Sequence, residues 1–414
     1  MKRRAAIISY HSSPLLEPGT GDSGGMTIFV RALTEALAKR GISTDIYTRS
    51  TGVHERVKTL SPGVRVISID AGPPGPLAKA DLPRYLDELT TGIRAFTMTQ
   101  RLGYDIIHSH YWHSGLVGSA LATAWDVPLV HSHHTLGLVK NRFLAPGDAP
   151  EPNVRLEGER SVIEGADVLV ASTDEEWGQL SCLYGAPHDR LKVVHPGVNH
   201  EIFTPGDRAA ARRELGLTDE LTVLYVGRIQ PLKGLELAIR SVEQLVPALD
   251  RPLRFIVVGG ASGSGGDDEV ERLQNLVSEL DLDTTVRFVG AQPHFRLPTF
   301  YRAADALVVC SYSESFGLAA LEAHACGTPV VATPVGGLSH IVADGESGFL
   351  VDTRDPSTFA GRLKTLLSDE DLRASFSEKA ARVAQNFSWD NTADSLRTLY
   401  DCLIEEREPE LCTC

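Results

Sequence analysis

The chain has 414 residues, 42% of them apolar and 23% charged, with a net charge of -14. That is too much apolar material for one ordinary core, so two domains are expected. The acidic balance, with no Lys/Arg stripe interleaved with aromatics, argues against nucleic acid or anionic lipid as a partner.

Met1-Lys2-Arg3-Arg4 opens like a signal n-region, but the apolar run behind it, Ala5 to Tyr10, is only strand-length and leads directly into polar His11-Ser12-Ser13. No stretch reaches the roughly 18 apolar residues of a membrane span. A cytoplasmic protein without stable membrane insertion is expected. Short apolar, β-branched runs then alternate with helical patterns, the signature of parallel sheets with crossover helices. In the first half the expected strands are Ala5 to Ser9, Thr44 to Thr48, Val64 to Ile69, Asp105 to His108, Leu129 to Ser132, Val168 to Ser172 and Lys192 to His195. A helix from Met26 to Lys39 puts Phe29, Leu33 and Leu37 on one stripe and stops at Gly41. Turn residues accumulate at Pro196-Gly197 and Phe203-Thr204-Pro205-Gly206, and a linker is expected there.

The second half repeats the pattern with strands at Leu221 to Val226, Arg254 to Val258, Thr285 to Phe288, Ala306 to Val309 and Pro329 to Ala332. The fold class is therefore α/β, two doubly wound Rossmann-like domains facing a cleft at the carboxyl ends of both sheets. Residues 1–205 form the first domain, 206–388 the second, and 389–414 a C-terminal segment with a last amphipathic helix from Thr392 to Glu405. The six cysteines fit no zinc-ligand spacing and agree with a reducing compartment; Cys412 and Cys414 read as part of a frayed tail.

Four clusters fall where such a cleft would be. Ser313-Glu314-Ser315-Phe316-Gly317, followed by Glu322, reads as a helix start with free N–H groups from Ser315 to Leu318 and with Glu322 two turns beyond Glu314. A helix start binds phosphate, and carboxylates flanking it suit a ligand that also carries hydroxyls, as sugars do. The run also fits a glutamate favoured by the helix dipole beside a solvated one. Gly19 to Met26 is a glycine-rich turn between strand and helix that lets backbone approach a phosphate or a sugar. Arg228 and Lys233, in Gly227-Arg228-Ile229-Gln230-Pro231-Leu232-Lys233-Gly234, end a strand where they could neutralise a diphosphate leaving group; a solvated cation pair is the alternative. Finally His108, His110, His113, His131, His133 and His134 invite a metal reading, but period two separates successive side chains and no carboxylates accompany them, so a polar cleft wall with His134 nearest the reacting centre is preferred.

On these residues the chain resembles the GT-B glycosyltransferases of family 4, with Arg228, Lys233, Glu314 and Glu322 matching that family's donor-site motif. Ser13-Pro14-Leu15, Gly19 to Met26, His108 to Trp112, His134-Thr135 with Val139-Lys140-Asn141, and Pro196-Gly197-Val198 resemble its inositol-phosphate branch, which opens mycothiol synthesis. The resemblance implies a retaining transfer of GlcNAc from UDP-GlcNAc to an inositol phosphate, that is, a UDP-sugar donor and a phosphorylated cyclitol acceptor. Arg228 and Lys233 would hold the diphosphate, Glu322 the ribose, and Glu314 with the Phe316 and Gly317 amides the donor sugar. Gly25 would approach the diphosphate, and His134 would sit under the sugar. The acceptor would meet His11, Asp22, Ser23, Gly24, Thr27, Lys79, Tyr111, Thr135 and Arg155.

The chain departs from this pattern at Thr27, where Asn is usual and would touch inositol hydroxyls, and at Gln292, where Arg is found near the uracil. The resemblance requires no cofactor for the chemistry, allows a peripheral Mg2+ near Tyr301, Arg302, Ala304 and Thr328, and allows a homodimer. Other readings are a family member using another UDP-sugar or another sugar-phosphate or natural-product acceptor, a UDP-GlcNAc epimerase, whose group lacks the Arg228/Lys233 and Glu314/Glu322 pattern, and a non-catalytic nucleotide-sugar sensor.

Overall fold

The computed structural model describes residues 3–19, 23–52, 55–146, 148–262 and 266–407. The first eight strands are β1 (Arg4–Ile8), β2 (Ser43–Arg49), β3 (Val57–Ser61), β4 (Val64–Ile69), β5 (Ile106–His110), β6 (Leu129–Ser132), β7 (Val168–Ala171) and β8 (Leu191–Val193). They form one sheet in the order β3-β4-β2-β1-β5-β6-β7-β8, parallel throughout except for β3 against β4. Helices cover both faces, which is why the central strands read as continuous apolar runs: Ala5, Ala6, Ile7 and Ile8 are all fully buried. The second sheet, β11-β10-β9-β12-β13-β14, is wholly parallel. Its strands are β9 (Leu221–Val226), β10 (Leu253–Val258), β11 (Val286–Gly290), β12 (Ala306–Val309), β13 (Val330–Ala332) and β14 (Gly348–Leu350).

In each sheet the strand order reverses around the first strand, with β1 between β2 and β5 and β9 between β10 and β12. The crevice at such a switch point is where doubly wound sheets bind ligands. The Gly25–Lys39 helix rises from the crevice of the first sheet and buries Phe29, Leu33 and Leu37 as its spacing predicts.

The C-terminal helix, Trp389–Arg407, returns to the first domain. Trp389 packs edge-on to Phe29 with ring centroids 5.4 Å apart, and Tyr400 donates or accepts a 2.6 Å bond with His108 Nδ1. Leu396, fully buried there, contributes about 1.5 to 3 kcal/mol by burial, more than the exposed Arg40 ion pairs to Asp390 and Asp394.

Two strands were not expected from the sequence. β3 is a largely exposed antiparallel edge and therefore lacks an apolar run. β14 begins at Gly348, where a Cβ would stand 2.0 Å from the Val330 carbonyl oxygen, so close strand packing demands the residue that ordinarily signals a turn. One helix start also moves. The helix runs from Leu318 to Ala325, with Gly317 at φ 100 before it, so Glu314 to Gly317 form a loop and Glu322 lies about one turn into the helix rather than two.

Candidate active site

The carboxyl ends of the two sheets face each other across a cavity of about 320 Å³. On the second-domain side, β9 delivers Arg228, whose Nη1 donates to Ser262 Oγ at 3.1 Å while Tyr225 OH donates to its carbonyl. Lys233 closes a short turn before Gly234, which holds φ 67 where a Cβ would be 2.1 Å from the Cys310 carbonyl oxygen. Only glycine passes that point, and the turn it allows swings Lys233 Nζ to 2.6 Å from Glu314 Oε2. The Glu314 loop rests on Gly336, whose added Cβ would sit 1.6 Å from the Glu314 carbonyl oxygen.

Glu322 lines the same wall although only 4% exposed. His294 Nε2 lies 2.6 Å from its Oε1, and Tyr301 OH donates to its Oε2 at 3.0 Å. Burial alone would lower the His294 pKa, but the Glu322 charge outweighs it and the pKa is raised. Sequence reading missed His294 and the Tyr301 hydroxyl, because neither stands in a recognisable pattern; they come from a separate segment that meets the Glu322 helix only in three dimensions.

From the first domain, His11, Gly24, Gly25, Lys79, Tyr111, His134 and Thr135 reach the cavity. Gly24 stands directly over Arg228, where a Cβ would be 3.1 Å from Nε, and Gly25 lies over Leu318. The glycine-rich turn thus brings one domain's backbone onto the other's cation. Ser315 Oγ donates to the His134 carbonyl across the cleft. Phe316, Gly317 and Gln292 complete the wall. Of the non-glycine residues with positive φ among those described, Tyr111 (φ 73) and His134 (φ 61) both line this cavity, backbone strain of the kind that clusters at functional sites.

Three acceptor candidates are not on the wall. Thr27 is 1% exposed, its hydroxyl 2.6 Å from Ser12 Oγ and 3.0 Å from Ser23 Oγ, so it ties the helix start to two loops instead of presenting a hydroxyl to the cavity. Ser23 is the other end of that tie. Arg155 is 4% exposed, behind Thr135 and Tyr111. Its Nε donates to Glu159 Oε1 at 2.8 Å, its Nη1 lies 2.9 Å from Glu151 Oε1, and its Nη2 donates to Thr135 Oγ1 at 2.9 Å. Arg155 therefore orients Thr135, while Lys79 carries the cationic character at the cavity itself. Asp22 lies outside the described residues, as do Cys412 and Cys414.

His108, His110, His131 and His134 pair with neutral partners or with one another, whereas both ring nitrogens of His113 and of His133 are buried and find no hydrogen-bond partner among the described residues. His108 is held by Tyr400 OH and by Ser132 Oγ (2.9 Å), His131 by Ser109 Oγ (2.8 Å), and His110 Nδ1 lies 2.9 Å from His134 Nε2. Among the described residues, no group of three or more His, Cys, Asp or Glu is arranged to hold a metal ion. Burial disfavours the imidazolium form and depresses these pKa values to about 3 for His108, His113 and His133 and about 4 for His134, with His11, His110 and His131 also well below the ordinary value. Because the folded pKa lies below the unfolded one, the stabilisation is complete above about pH 6.5 and is lost as pH falls toward the folded values, by up to about 1.4 kcal/mol per pH unit for each histidine. His294 acts oppositely, its contribution being lost as pH rises through its folded pKa, but it is one group against eight, since burial also lowers His324 to about 4. A melting temperature that drops steeply between pH 7 and pH 5 is expected; a flat profile over that range would contradict these assignments.

Two of the four residues considered for a peripheral cation have carbonyl oxygens that already accept a side-chain hydrogen bond. The Tyr301 carbonyl accepts from Thr328 Oγ1 at 2.7 Å, and the Ala304 carbonyl accepts from the Arg208 guanidinium, also at 2.7 Å. Arg302 donates to the Thr204 and Ile202 carbonyls. The Ala304 carbonyl thus already faces a cation, none of the four residues supplies a carboxylate, and no step of the reaction is routed through a metal.

With this geometry in hand, the comparisons with known proteins are specific. Residues 24–197 match the model of the glycosyl transferase 4-like domain, and residues 207–383 that of the glycosyl transferases group 1. D-inositol 3-phosphate glycosyltransferase of Acidothermus cellulolyticus is 48% identical over 98% of this chain and 92% of its own length, and that of Corynebacterium jeikeium is 47% identical over 96% of each. Among solved structures, sucrose-phosphate synthase from Thermosynechococcus elongatus superposes with a TM-score of 0.91 at 34% identity, covering 98% of this chain and 100% of that one. Two parallel-sheet domains about one cleft, this sequence likeness across nearly the whole chain and both family models together make the chain a member of the GT-B glycosyltransferases of family 4, beside the relatives named D-inositol 3-phosphate glycosyltransferase.

Proposed function

We propose that this enzyme transfers GlcNAc from UDP-GlcNAc to an inositol phosphate with retention of configuration, as the first step of mycothiol synthesis. The observation that carries the proposal is that one cavity is lined by two cationic regions on opposite domains: Arg228 and Lys233 beside a helix N-terminus, and Lys79 beside Tyr111 and Thr135. The first suits a diphosphate and the second a monophosphate on the acceptor. Buried Glu322 offers carboxylate oxygens to ribose hydroxyls, and Glu314 with the Phe316 and Gly317 amides suits the sugar. The names of the curated relatives support the acceptor class.

In this reading the bond between the anomeric carbon and the diphosphate oxygen breaks as negative charge grows on the departing UDP. Arg228 and Lys233 stabilise that charge from fixed positions. The acceptor hydroxyl attacks on the face the diphosphate leaves, and its proton passes to the leaving phosphate oxygen, so no nucleophile from the chain is needed. His134, kept neutral by burial, contributes a hydrogen bond to the sugar rather than a charge. Sparse cysteines, with the four described ones all unpaired, support the cytoplasm as the place of reaction.

Lys79→Ala should raise the acceptor KM by about 10- to 100-fold, because one charge-assisted phosphate contact is worth about 1.5 to 3 kcal/mol, while UDP affinity stays within about threefold. Steady-state kinetics with inositol phosphate and calorimetric UDP binding check this. Equal use of phosphorylated and free inositol by the unmodified enzyme would defeat the phosphate pocket. The likeness to sucrose-phosphate synthase favours one second reading, a sugar phosphate as acceptor in the same pocket, which the same kinetics with hexose phosphates would reveal.

A further inference from the structure

We infer that His110, which is not itself on the cavity wall, is a positioning residue that fixes His134 in one orientation and one neutral tautomer, so that a single ring nitrogen serves as hydrogen-bond donor to the donor sugar. The inference rests on the reading that His134 lies under that sugar.

His110 ends β5 and His134 follows β6, and their rings meet at Nδ1 to Nε2, 2.9 Å apart. Exactly one proton can occupy such a contact between two neutral imidazoles. Which ring supplies it follows from the other face of His110. Its Nε2 is buried and finds no hydrogen-bond partner among the described residues. Were His134 the donor, His110 would carry its own proton on Nε2, a buried N–H with nothing to accept it. Were His110 the donor, Nε2 would be an unprotonated nitrogen, and orphaned acceptors are tolerated more often than orphaned donors. His110 Nδ1–H therefore donates to His134 Nε2, which leaves the remaining His134 proton on Nδ1, the nitrogen available to a ligand.

The support behind His110 is rigid. Its ring lies 4.3 Å from that of His108 at 34°, and both nitrogens of His108 are tied, one to Ser132 Oγ and one to Tyr400 OH of the C-terminal helix. Phe29 closes the other side, 5.6 Å from His110 and 5.0 Å from His134. The His134 backbone is held as well, at φ 61 with its carbonyl bonded by Ser315 from the opposite domain. Main chain and ring are thus constrained independently, the arrangement expected where a donor must point at one hydroxyl.

The test uses the full chain with UDP-GlcNAc, UDP-Glc and their mono-deoxy analogues, comparing wild type with His110→Phe, His110→Asn and His134→Ala. Phe keeps a flat ring between His108 and Phe29 and removes the donor. It should lower kcat by about tenfold, the worth of one hydrogen bond, with UDP affinity and melting temperature little changed. In the wild type one deoxy analogue should be singled out by its rate penalty, and in His110→Phe that penalty should vanish. Asn places an amide N–H near the position of Nδ1 and should restore both rate and selectivity. Nitrogen-15 imidazole shifts should report a single Nδ1–H tautomer for His134 in wild type and in His110→Asn, and a mixture in His110→Phe. Wild-type kcat in His110→Phe, or an equal loss on every donor without rescue by Asn, would overturn the inference. If His134→Ala itself leaves kcat unchanged, the role of His134 under the sugar is refuted and this inference with it; if His134→Ala is costly and His110→Phe is not, only the inference fails.

Discussion

Lys233→Ala should reduce kcat by on the order of a hundredfold or more while UDP binding weakens only a few-fold. Charge on the diphosphate is greater in the transition state than in the bound donor, so a fixed cation beside it acts mainly on the barrier, and removal of one such preorganised group costs about 3 kcal/mol. The ion pair with Glu314 adds a second effect. At 2.6 Å the two groups hold each other in place in a partly buried setting, and without the ammonium the carboxylate would face the departing diphosphate as a like charge. Lys233→Ala combined with Glu314→Gln should therefore be less impaired than the sum of the single changes. Near-wild-type kcat in Lys233→Ala, measured at saturating donor and acceptor, would remove Lys233 from the chemistry.

Arg155→Ala should cost stability as well as acceptor binding. Glu159 is fully buried, and Arg155 Nε is its charged partner at 2.8 Å. Taking one member from a buried pair leaves an uncompensated charge and typically costs about 3 to 5 kcal/mol. Glu159 keeps the Gly137 amide and the Tyr184 hydroxyl, so the lower end, about 3 kcal/mol, or a melting temperature lowered by roughly 6 to 12 °C, is expected. The acceptor KM should rise too, because Thr135 loses the guanidinium that orients it. Adding Glu159→Gln should recover part of the stability. A melting temperature equal to wild type would show that the buried network is not what holds this wall, and the contrast with half-buried Lys79, whose removal should leave stability intact, separates binding from folding.

The β-branched runs carried most of the fold in plain view because parallel strands covered on both faces need continuous apolar sequence, and the strand-end positions of Arg228 and His134 followed from that. What stayed hidden had a physical reason in each case. The short β14 depends on a glycine that reads as a turn. His294 and Tyr301 engage Glu322 through a packing contact between segments, which leaves no spacing to read. The resemblance made Arg155 a phosphate ligand, yet its partners Glu151 and Glu159 sit four residues either side of it, Glu151 just ahead of the helix and Glu159 within it, a spacing that was legible and pointed to an ion network. Thr27 was an acceptor contact through the resemblance, which places Asn at that position, and only the approach of Ser12 and Ser23 shows its hydroxyl to be engaged elsewhere.

Mass-spectrometric turnover of UDP-GlcNAc and UDP-Glc against D- and L-inositol phosphates, hexose phosphates and free inositol tests the assignment most directly. The expected result is a GlcNAc conjugate of one inositol phosphate with the anomeric configuration of the donor, and little or no product from free inositol. Turnover of free inositol at the same efficiency, transfer confined to hexose phosphates, or epimerised UDP-sugar formed without any acceptor would contradict it.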